Sequence, residues 1–408
     1  MSRKAYREMI YIIGGKVITM EDVTWEKGYV CIEDGKIKEL GPMKEGAPFP
    51  LQTGEHVKII NASGYIVMPG LIEAHCHMGI TEEKKGMEGD DCNETVNPIT
   101  PYLRGIDAIN PMDAAFDDAL RAGITSAMIG PGSSNVVGGS FAFVKTHGRC
   151  IDKMTVKSPA AMKVAFGENP KVNYSGQGKS PSTRMAIASM LREELFKAKA
   201  YQEKREDKNA KQEKDFRYEC WLPVLRGEIP LKAHVHRADD ILTAIRIANE
   251  FGLSMTLDHC SEGHLIAADV KESGFPAIVG PDLASRNKIE VQNMAFKTVG
   301  ILNNTGVKTA ITTDHPVSLI QSLPICAGLA VKAGMDEREA LKSITLYPAQ
   351  ICRVDERVGS LAKGKDADIV IFDGNPLSLQ TKVMCTMIEG EIVYADESFT
   401  LPDEGKKV

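Results

Sequence analysis

The sequence predicts an α/β protein in which a (β/α)8 TIM-like barrel over residues 69–345 joins a small β-sandwich domain built from residues 1–68 and 346–408. In the middle of the chain, helical segments followed by a glycine and an apolar strand recur, which is the rhythm of a parallel sheet. Its repetition over about 250 residues favours a closed barrel over an open sheet. Short strands separated by turns fill both ends of the chain.

The terminal segments alternate β-like runs with turn signals such as Glu33-Asp34-Gly35-Lys36 and Ala62-Ser63-Gly64. The strands predicted near the start are 9–13, 16–20, 28–33, 36–40, 58–61 and 65–68. Those predicted near the end are 367–372, 383–388 and 391–395. Because both ends share this texture, we expect them to form one domain.

The middle segment contains helix-like stretches at 111–122, 239–251 and 287–305. Each stretch is followed directly by a glycine and then by an apolar run. No Gly-x-Gly-x-x-Gly or Walker-type loop indicates a nucleotide fold. Residues 183–216 predict one long helix whose part from 204 to 215 is almost entirely charged. We interpret that part as a solvated helix face rather than a partner-binding arm.

Composition is that of an ordinary globular protein, with 43% hydrophobic and 25% charged residues. A net charge of -6 leaves no broad basic surface, so neither nucleic acid nor a membrane is an expected partner. There is no apolar run of about 18 residues, and the apolar run near the start is too short for a signal peptide. Nine dispersed cysteines indicate reduced thiols, and we therefore expect a cytoplasmic protein.

The most informative motif is the apolar run 67–72 that leads to His75 and His77. Residues two apart on a strand point the same way, so both imidazoles can reach one ion. Imidazole is a common ligand for zinc and similar divalent ions. Cys76, and Cys260 beside another histidine, should point away from their neighbours on a strand, and we interpret both as packing residues.

Other polar residues occur where later barrel strands are predicted to end. They are Glu168, His234, His236, His259, Asp314 and His315. Catalytic groups of such barrels gather at the C-terminal face of the strands, so we expect these side chains to converge. The remaining histidines, His56, His147 and His264, are interpreted as structural or surface residues.

At these residues the chain resembles the amidohydrolase superfamily, and within it the imidazolonepropionase-related enzymes. The resemblance rests on His-x-His after Pro69-Gly70-Leu71-Ile72, on the strand start Gly123-Ile124-Thr125, on single histidines of two later strands, on a last-strand aspartate and on the closing stretch 359–370. It covers nearly the whole chain. It implies a metal-dependent hydrolase that acts on a small molecule.

The resemblance also implies which residues bind one or two divalent ions, expected to be zinc, with manganese or iron as alternatives. They are His75, His77, Glu168, His234, His259 and Asp314. A zinc-type ion lowers the pKa of its water from 15.7 to about 7. Asp314 would be both ligand and proton shuttle to a leaving nitrogen. His236 and His315 would polarise or hold the substrate.

Three questions about the site stay open in the sequence. Many members bridge two ions with a carboxylated lysine, and Lys163 lies on the same strand as Glu168; we prefer Glu168 because it falls at the strand end. Either His234 or His236 could ligate, since residues two apart share a face. Loops 131–139 and 169–184, the latter including Tyr174, Lys179 and Arg184, are candidates for substrate specificity or plain surface loops.

The leading functional interpretation is hydrolysis of a non-peptide carbon–nitrogen bond, in a cyclic amide or an N-acyl group. The second is a deaminase. Deaminases of the superfamily generally carry a glutamate shortly after the fifth-strand histidine, whereas Asp239 and Asp240 follow His234 here. The third is a scaffold that lost its metal, which should lack a strand-end ligand, and this sequence lacks none. We expect a homo-oligomer, as is common for such barrels.

Overall fold

The computed structural model describes residues 9–44, 57–83, 86–207 and 213–401. The strands in these ranges are β1 (Met9–Ile13), β2 (Lys16–Ile18), β3 (Thr24–Trp25), β4 (Gly28–Glu33), β5 (Lys36–Pro42), β6 (Val57–Asn61), β7 (Ile66–Pro69), β8 (Leu71–Cys76), β9 (Ile124–Ile129), β10 (Val137–Lys145), β11 (Thr155–Ala165), β12 (Leu231–Val235), β13 (Met255–His259), β14 (Ala277–Val279), β15 (Thr309–Ile311), β16 (Ile369–Phe372), β17 (Val383–Ile388) and β18 (Glu391–Ala395).

The α-helices in the same ranges are α1 (Ala114–Arg121), α2 (Ile151–Met154), α3 (Glu168–Ser175), α4 (Arg184–Glu206), α5 (Phe216–Glu219), α6 (Leu222–Leu225), α7 (Ala238–Phe251), α8 (Ala267–Ser273), α9 (Lys297–Asn304), α10 (Leu323–Lys332), α11 (Glu337–Lys342) and α12 (Leu346–Ile351). None of these helices is long and apolar enough to cross a membrane.

Strands β8 to β15 form one eight-stranded sheet in sequence order within the described residues. Its neighbours are parallel except β10, which runs antiparallel to both β9 and β11. The reversal follows from chain length, because the seven residues 130–136 are too few for a parallel crossover, which needs about a dozen. The predicted α/β barrel is confirmed, with one strand that departs from the repeating (β/α)8 pattern.

The barrel is closed by contacts between β8 and the segment after β15. Glu73 is fully buried, and its carboxylate accepts hydrogen bonds from Thr312 Oγ1 at 2.5 Å and from the Thr313 backbone N–H at 2.9 Å. The His77 N–H also donates to the His315 carbonyl at 2.8 Å. A buried carboxylate is tolerated only when it is hydrogen-bonded, so Glu73 fixes the junction of the first and last strands.

The terminal segments form two further sheets in the described residues, ordered β5–β4–β1–β6 and β18–β17–β16–β7–β2–β3. The second sheet mixes strands from both ends of the chain, since β7 pairs antiparallel with β16. Side chains such as Ile12, Val67 and Ile369 share one apolar core. The domain boundaries themselves stay a prediction, and α12, which follows residue 345, packs against β8 and β15.

A buried ion network connects the barrel to these sheets. Lys145, at the end of β10, is 4% exposed, and its Nζ lies 2.9 Å from Asp366 Oδ2 and 2.5 Å from Asp368 Oδ2. Asp366 also contacts Lys36 and Arg357. The two aspartates belong to the closing stretch 359–370 noted in the sequence, so that stretch has a structural role at this junction.

Two predicted helices differ from the structure. The helix expected over 183–216 ends at Glu206, and α5 begins only at Phe216; part of the charged run, residues 208–212, lies outside the described residues. Helix α4 buries Leu191 and Leu195 against the protein, which identifies it as a packed element. The helix expected over 287–305 begins at Lys297. Residues 287–296 instead form a loop over the barrel.

Candidate metal centre

Two clusters of buried side chains lie at the C-terminal ends of the parallel barrel strands. The His–Asp cluster comprises His75, His77 and Asp314, and the three-histidine cluster comprises His234, His236 and His259. Within each cluster, one potential ligand atom of every residue lies within 4.8 Å of the others. The structure therefore brings together five of the six predicted ligands, and adds His236 to them.

In the His–Asp cluster, hydrogen bonds at Nδ1 fix both imidazoles. His75 Nδ1 lies 2.7 Å from Asp258 Oδ2, and His77 Nδ1 lies 2.7 Å from the Gly130 carbonyl oxygen. Their Nε2 atoms then face Asp314 Oδ1 at 3.6 and 3.2 Å. Nitrogen lone pairs opposite a carboxylate oxygen form a cradle for a cation.

The pKa shifts of His77 and Asp314 are those expected where a positive charge lies between the two side chains. Burial lowers the pKa of His77, but the Cys92 and Asp314 side chains raise it more, to about 10. Burial raises the pKa of Asp314, and the neighbouring His259 and His77 lower it below its ordinary value. A proton on His77 thus occupies the place that a divalent ion would take.

In the three-histidine cluster, each Nδ1 is again held from behind. The partners are Ser133 Oγ for His234, Ser261 Oγ for His236 and the Gly280 carbonyl oxygen for His259, all at 2.8 Å. The buried Nε2 of His259 has no hydrogen-bond partner in the described residues.

Burial lowers the pKa of all three imidazoles, that of His236 to about 4. They are neutral at pH 7, as metal ligands must be. The lone pairs of three imidazole nitrogens therefore converge in one buried site.

Lys163 belongs to β11, and its side chain lies beside the His–Asp cluster. Its side chain is fully buried, and its Nζ lies 3.2 Å from His75 Nε2. Burial lowers the pKa of Lys163 to about 8, although Asp258 and Asp314 act to raise it. An appreciable fraction of the amine is consequently neutral and nucleophilic near neutral pH.

Glu168, the predicted sixth ligand, belongs to neither cluster. Strand β11 ends at Ala165, and Gly167, with φ of 82°, turns the chain so that Glu168 begins α3. Its backbone N–H donates to Glu290 Oε2 at 2.9 Å. Glu168 therefore lines the cavity without joining a cluster, whereas Lys163, the alternative left open in the sequence, contacts His75.

His315 also departs from its expected role. Its ring is fully buried, Nδ1 accepts a hydrogen bond from the Ile320 N–H at 3.1 Å, and Nε2 lies 3.4 Å from Glu83 Oε1. Asp314 lines the cavity, whereas His315 is not one of the described residues that line it. Direct contact between His315 and a substrate is not supported.

The other histidines lie away from both clusters, or outside the described residues. His147 is exposed, and His264 contacts Thr298 Oγ1 at 3.0 Å through Nδ1. His56 lies outside the described residues. All nine cysteines are free, and Cys76 and Cys260 are buried in the apolar core as packing residues.

Sequence reasoning missed two buried carboxylates. Asp258 bridges His75 Nδ1 and Lys232 Nζ, the latter at 3.0 Å, and so orients a predicted ligand. An acidic residue inside the apolar strand 255–259 is the signal that could have revealed it. Glu290 comes from the loop after β14, and its Oε1 lies 3.8 Å from Nε2 of both His234 and His236. Only the fold reveals that proximity.

The clusters open into a cavity of about 720 Å³. Polar lining residues away from the clusters include Asp90, Ser133, Ser134, Asn169, Asn173 and Lys288. Both candidate specificity loops thus contribute, but not every residue named in them. Tyr174 is buried in the protein, and Arg184 pairs with Asp240 at 3.0 Å.

A crystal structure of an amidohydrolase from Thermotoga maritima MSB8 matches this chain with a TM-score of 0.89 and 36% sequence identity, covering 95% of this chain and 100% of that one. The chain belongs to the amidohydrolase family. The protein-family model with the description Amidohydrolase family matches residues 226–393 of this chain. Enzymes of this family are metal-dependent hydrolases, so this amidohydrolase is a hydrolase that acts on carbon–nitrogen bonds.

Curated relatives agree on the family and differ in reaction. Amidohydrolase tasK of Hapsidospora irregularis is 27% identical over 91% of this chain, which spans only 40% of that protein. A 5-methylthioadenosine/S-adenosylhomocysteine deaminase of Symbiobacterium thermophilum is 23% identical, with 95% of this chain and 94% of the relative covered. The predicted likeness to imidazolonepropionases is confirmed by that of Brevibacillus brevis, 25% identical over 89% of this chain and 87% of the relative.

Proposed function

We propose that this amidohydrolase cleaves a non-peptide carbon–nitrogen bond, in a cyclic amide or an N-acyl group of a small molecule, at a centre of two divalent ions, with zinc the first candidate. The observation that carries this proposal is the pair of adjacent buried clusters. Asp314 Oδ2 lies 3.9 Å from His259 Nδ1, and the rings of His75 and His259 are 5.0 Å apart. Two ions held by such neighbours could act on one substrate.

The nitrogen and oxygen atoms of the two clusters suit divalent ions such as zinc. His75, His77 and Asp314 would hold one ion, and His234 and His259 the other. A divalent ion bound here supplies Lewis acidity, which activates water at neutral pH and polarises a carbonyl.

Lys163, rather than Glu168, is our proposed bridging residue. Its neutral amine would attack carbon dioxide, form an N–C bond and lose one proton, which yields a carbamate. That anion presents two oxygens in place of one amine. The buried position against His75 Nε2 supports this assignment.

Asp314 would move the proton during hydrolysis. Its Oδ1 is buried 3.2 Å from His77 Nε2, and the residue lines the cavity. As a carboxylate it can accept a proton from the attacking water and return it to the leaving nitrogen. His236, which lines the same cavity, would contact the substrate.

Deamination is the second candidate, because a deaminase is similar to this chain over almost the whole length of both proteins. Both reactions use hydrolysis at carbon, but only deamination releases ammonia from a ring. The glutamate typical of deaminases after the fifth-strand histidine is replaced by aspartates here, which favours the amide substrate.

The test is a screen of the zinc- or manganese-loaded protein against cyclic ureides, N-acyl amino acids, dipeptides and amino-purines. We expect a new carboxylate without ammonia, and activity on an amino-purine with ammonia release would establish deamination instead. His75→Ala and Asp314→Asn should abolish turnover and leave the fold intact, whereas the exposed His147→Ala is the matched control. A purified protein with well under one ion per chain and no turnover would contradict both readings.

A further inference from the structure

We propose that Asn169 is a further catalytic residue of this site. Its side-chain amide N–H stabilises the negative charge that develops on the carbonyl oxygen of the substrate, and Lys288 holds that amide in position. This inference rests on the proposed function, because it concerns hydrolysis at the same centre. Neither residue belongs to the two clusters, and both line the cavity into which the clusters open.

The contacts of Asn169 determine which way its amide group points. Lys288 Nζ lies 2.8 Å from Asn169 Oδ1. An ammonium can only donate hydrogen bonds, so the amide oxygen must face Lys288 and the amide N–H₂ group must face the other way. On that side, Asn169 Nδ2 lies 3.4 Å from His234 Nε2. The amide therefore directs a hydrogen-bond donor toward the three-histidine cluster.

The position of Lys288 is itself fixed by a buried carboxylate. Its Nζ also donates to Oε1 of Glu290, a residue that is 1% exposed. Oε2 of Glu290 accepts from the Glu168 backbone N–H at 2.9 Å, where the helix that carries Asn169 begins. The start of α3 and the loop 287–296 are thus tied together on both sides of the amide. A donor that is fixed before charge develops needs no reorganisation during the reaction.

The same N–H becomes available to a substrate when His234 binds an ion. In the structure the N–H faces the Nε2 atom of His234, whose lone pair the proposed function assigns to the metal. Once that lone pair is used, the half-buried amide loses its acceptor, and a donor without an acceptor is costly. A substrate oxygen that reaches the three-histidine cluster comes within range of this donor and can replace the lost acceptor.

Hydrolysis produces the charge that this donor would stabilise. When the water oxygen bonds to the carbonyl carbon, water loses a proton to Asp314 and the electron pair of the C=O bond moves to the carbonyl oxygen. The Asn169 N–H bonds the resulting oxyanion more strongly than the neutral carbonyl. The electron pair then re-forms the C=O bond, the C–N bond breaks, and the leaving nitrogen takes the proton from Asp314. Asn169 keeps its own protons and acts through one hydrogen bond.

The first experiment compares the zinc-loaded wild type with Asn169→Ala on the best substrate of the screen described above. Loss of an oxyanion donor should lower kcat by about 100- to 1,000-fold and change KM little. Zinc per chain, measured by mass spectrometry, and circular dichroism should match the wild type. Asn249→Ala, on the exposed side of α7, is the matched control and should keep wild-type kinetics. An unchanged kcat in Asn169→Ala would overturn the inference, and so would loss of zinc, which would assign Asn169 to holding the metal instead.

The second experiment tests the positioning role of Lys288 without turnover. In zinc-free protein that carries isotope-labelled asparagine, the side-chain amide resonance of Asn169 is identified by its absence from Asn169→Ala. This resonance should shift in Lys288→Met and partly return in Lys288→Arg, which restores a donor. In the zinc-loaded variants, kcat should fall and recover in the same order. An unshifted resonance in Lys288→Met would overturn the role of Lys288.

The two levels of the argument fail in different ways. A zinc-loaded wild type that turns over none of the substrates in the screen would overturn the proposed function and this inference with it. An active wild type with equal kcat in Asn169→Ala would overturn this inference alone.

Discussion

At the scale of single residues, the centre depends on what lies behind each ligand. All five histidines of the two clusters have Nδ1 held by a carboxylate, a carbonyl or a hydroxyl. Such partners fix the ring orientation and the position of the proton, and they leave Nε2 for the ion. The site therefore requires these Nδ1 partners as well as the histidines themselves.

Asp258 provides a test of this principle. In Asp258→Asn, the amide no longer carries the charge that holds the proton on His75 Nδ1, so His75 would lose its fixed orientation. We expect metal affinity to fall about 10- to 100-fold. Zinc titration with a fluorescent competitor measures this, and Asp117→Asn on the exposed face of α1 is the control. Unaltered zinc affinity in Asp258→Asn would contradict the role assigned to Asp258.

Lys163 gives a prediction about pH. Its pKa in the metal-free protein is about 8, lowered from 10.5, so the neutral amine should rise from about a tenth at pH 7 to about nine tenths at pH 9. At constant dissolved carbon dioxide, reloading of the apo-protein with zinc should therefore quicken by roughly 10-fold over this interval. Stopped-flow recovery of activity measures it. A rate that carbon dioxide does not alter would argue against a carbamate.

At the scale of elements, the strand ends decide which residues face the cavity. The sequence was sufficient to bring His75, His77, His234, His259 and Asp314 to strand ends, because each lies at or just after the end of a short apolar run. Glu168 as a ligand stays a prediction, since the turn at Gly167 starts a helix there and Glu168 joins neither cluster. The position of Glu290 depends on contacts between distant segments, which local pattern does not encode, whereas the reversal of β10 follows from its short connection to β9.

Glu73 tests how the barrel closes. In Glu73→Gln, the amide N–H₂ would replace one carboxylate oxygen and so face a backbone N–H donor, that of His75 or that of Thr313, which leaves buried donors unsatisfied. We expect the free energy of unfolding to fall by about 2 to 3 kcal/mol. Urea denaturation measures this. The exposed Glu356→Gln should stay within about 0.5 kcal/mol of the wild type, and a similar result for Glu73→Gln would refute the closing role.

At the scale of the whole molecule, two structural units share one chain and are joined by buried charge. The terminal strands β7 and β16 pair with each other, and the strand β8 that carries His75 follows β7 after one residue. Packing of the terminal sheets therefore sets the position of the first barrel strand. Stability of this junction should matter to the site as well as to folding.

Lys145→Met tests the junction directly. It removes the ammonium shared by Asp366 and Asp368 and leaves both carboxylates buried, while Asp366 keeps its contacts with Lys36 and Arg357. Breaking a buried ion pair from one side costs about 3 to 5 kcal/mol, so we expect a loss of that size at pH 7. The exposed Lys153→Met is the matched control and should change little.

The pH dependence distinguishes lost charge from lost packing in this variant. Burial raises the pKa of Asp368, and Lys145 opposes that rise, so the substitution should raise this pKa further. A carboxyl whose pKa is higher in the folded state binds more protons there than in the unfolded state. Its contribution to stability therefore grows as pH falls. Part of the deficit of Lys145→Met relative to wild type should be recovered between pH 7 and pH 5. A deficit that stays constant over this range would assign the effect to packing instead.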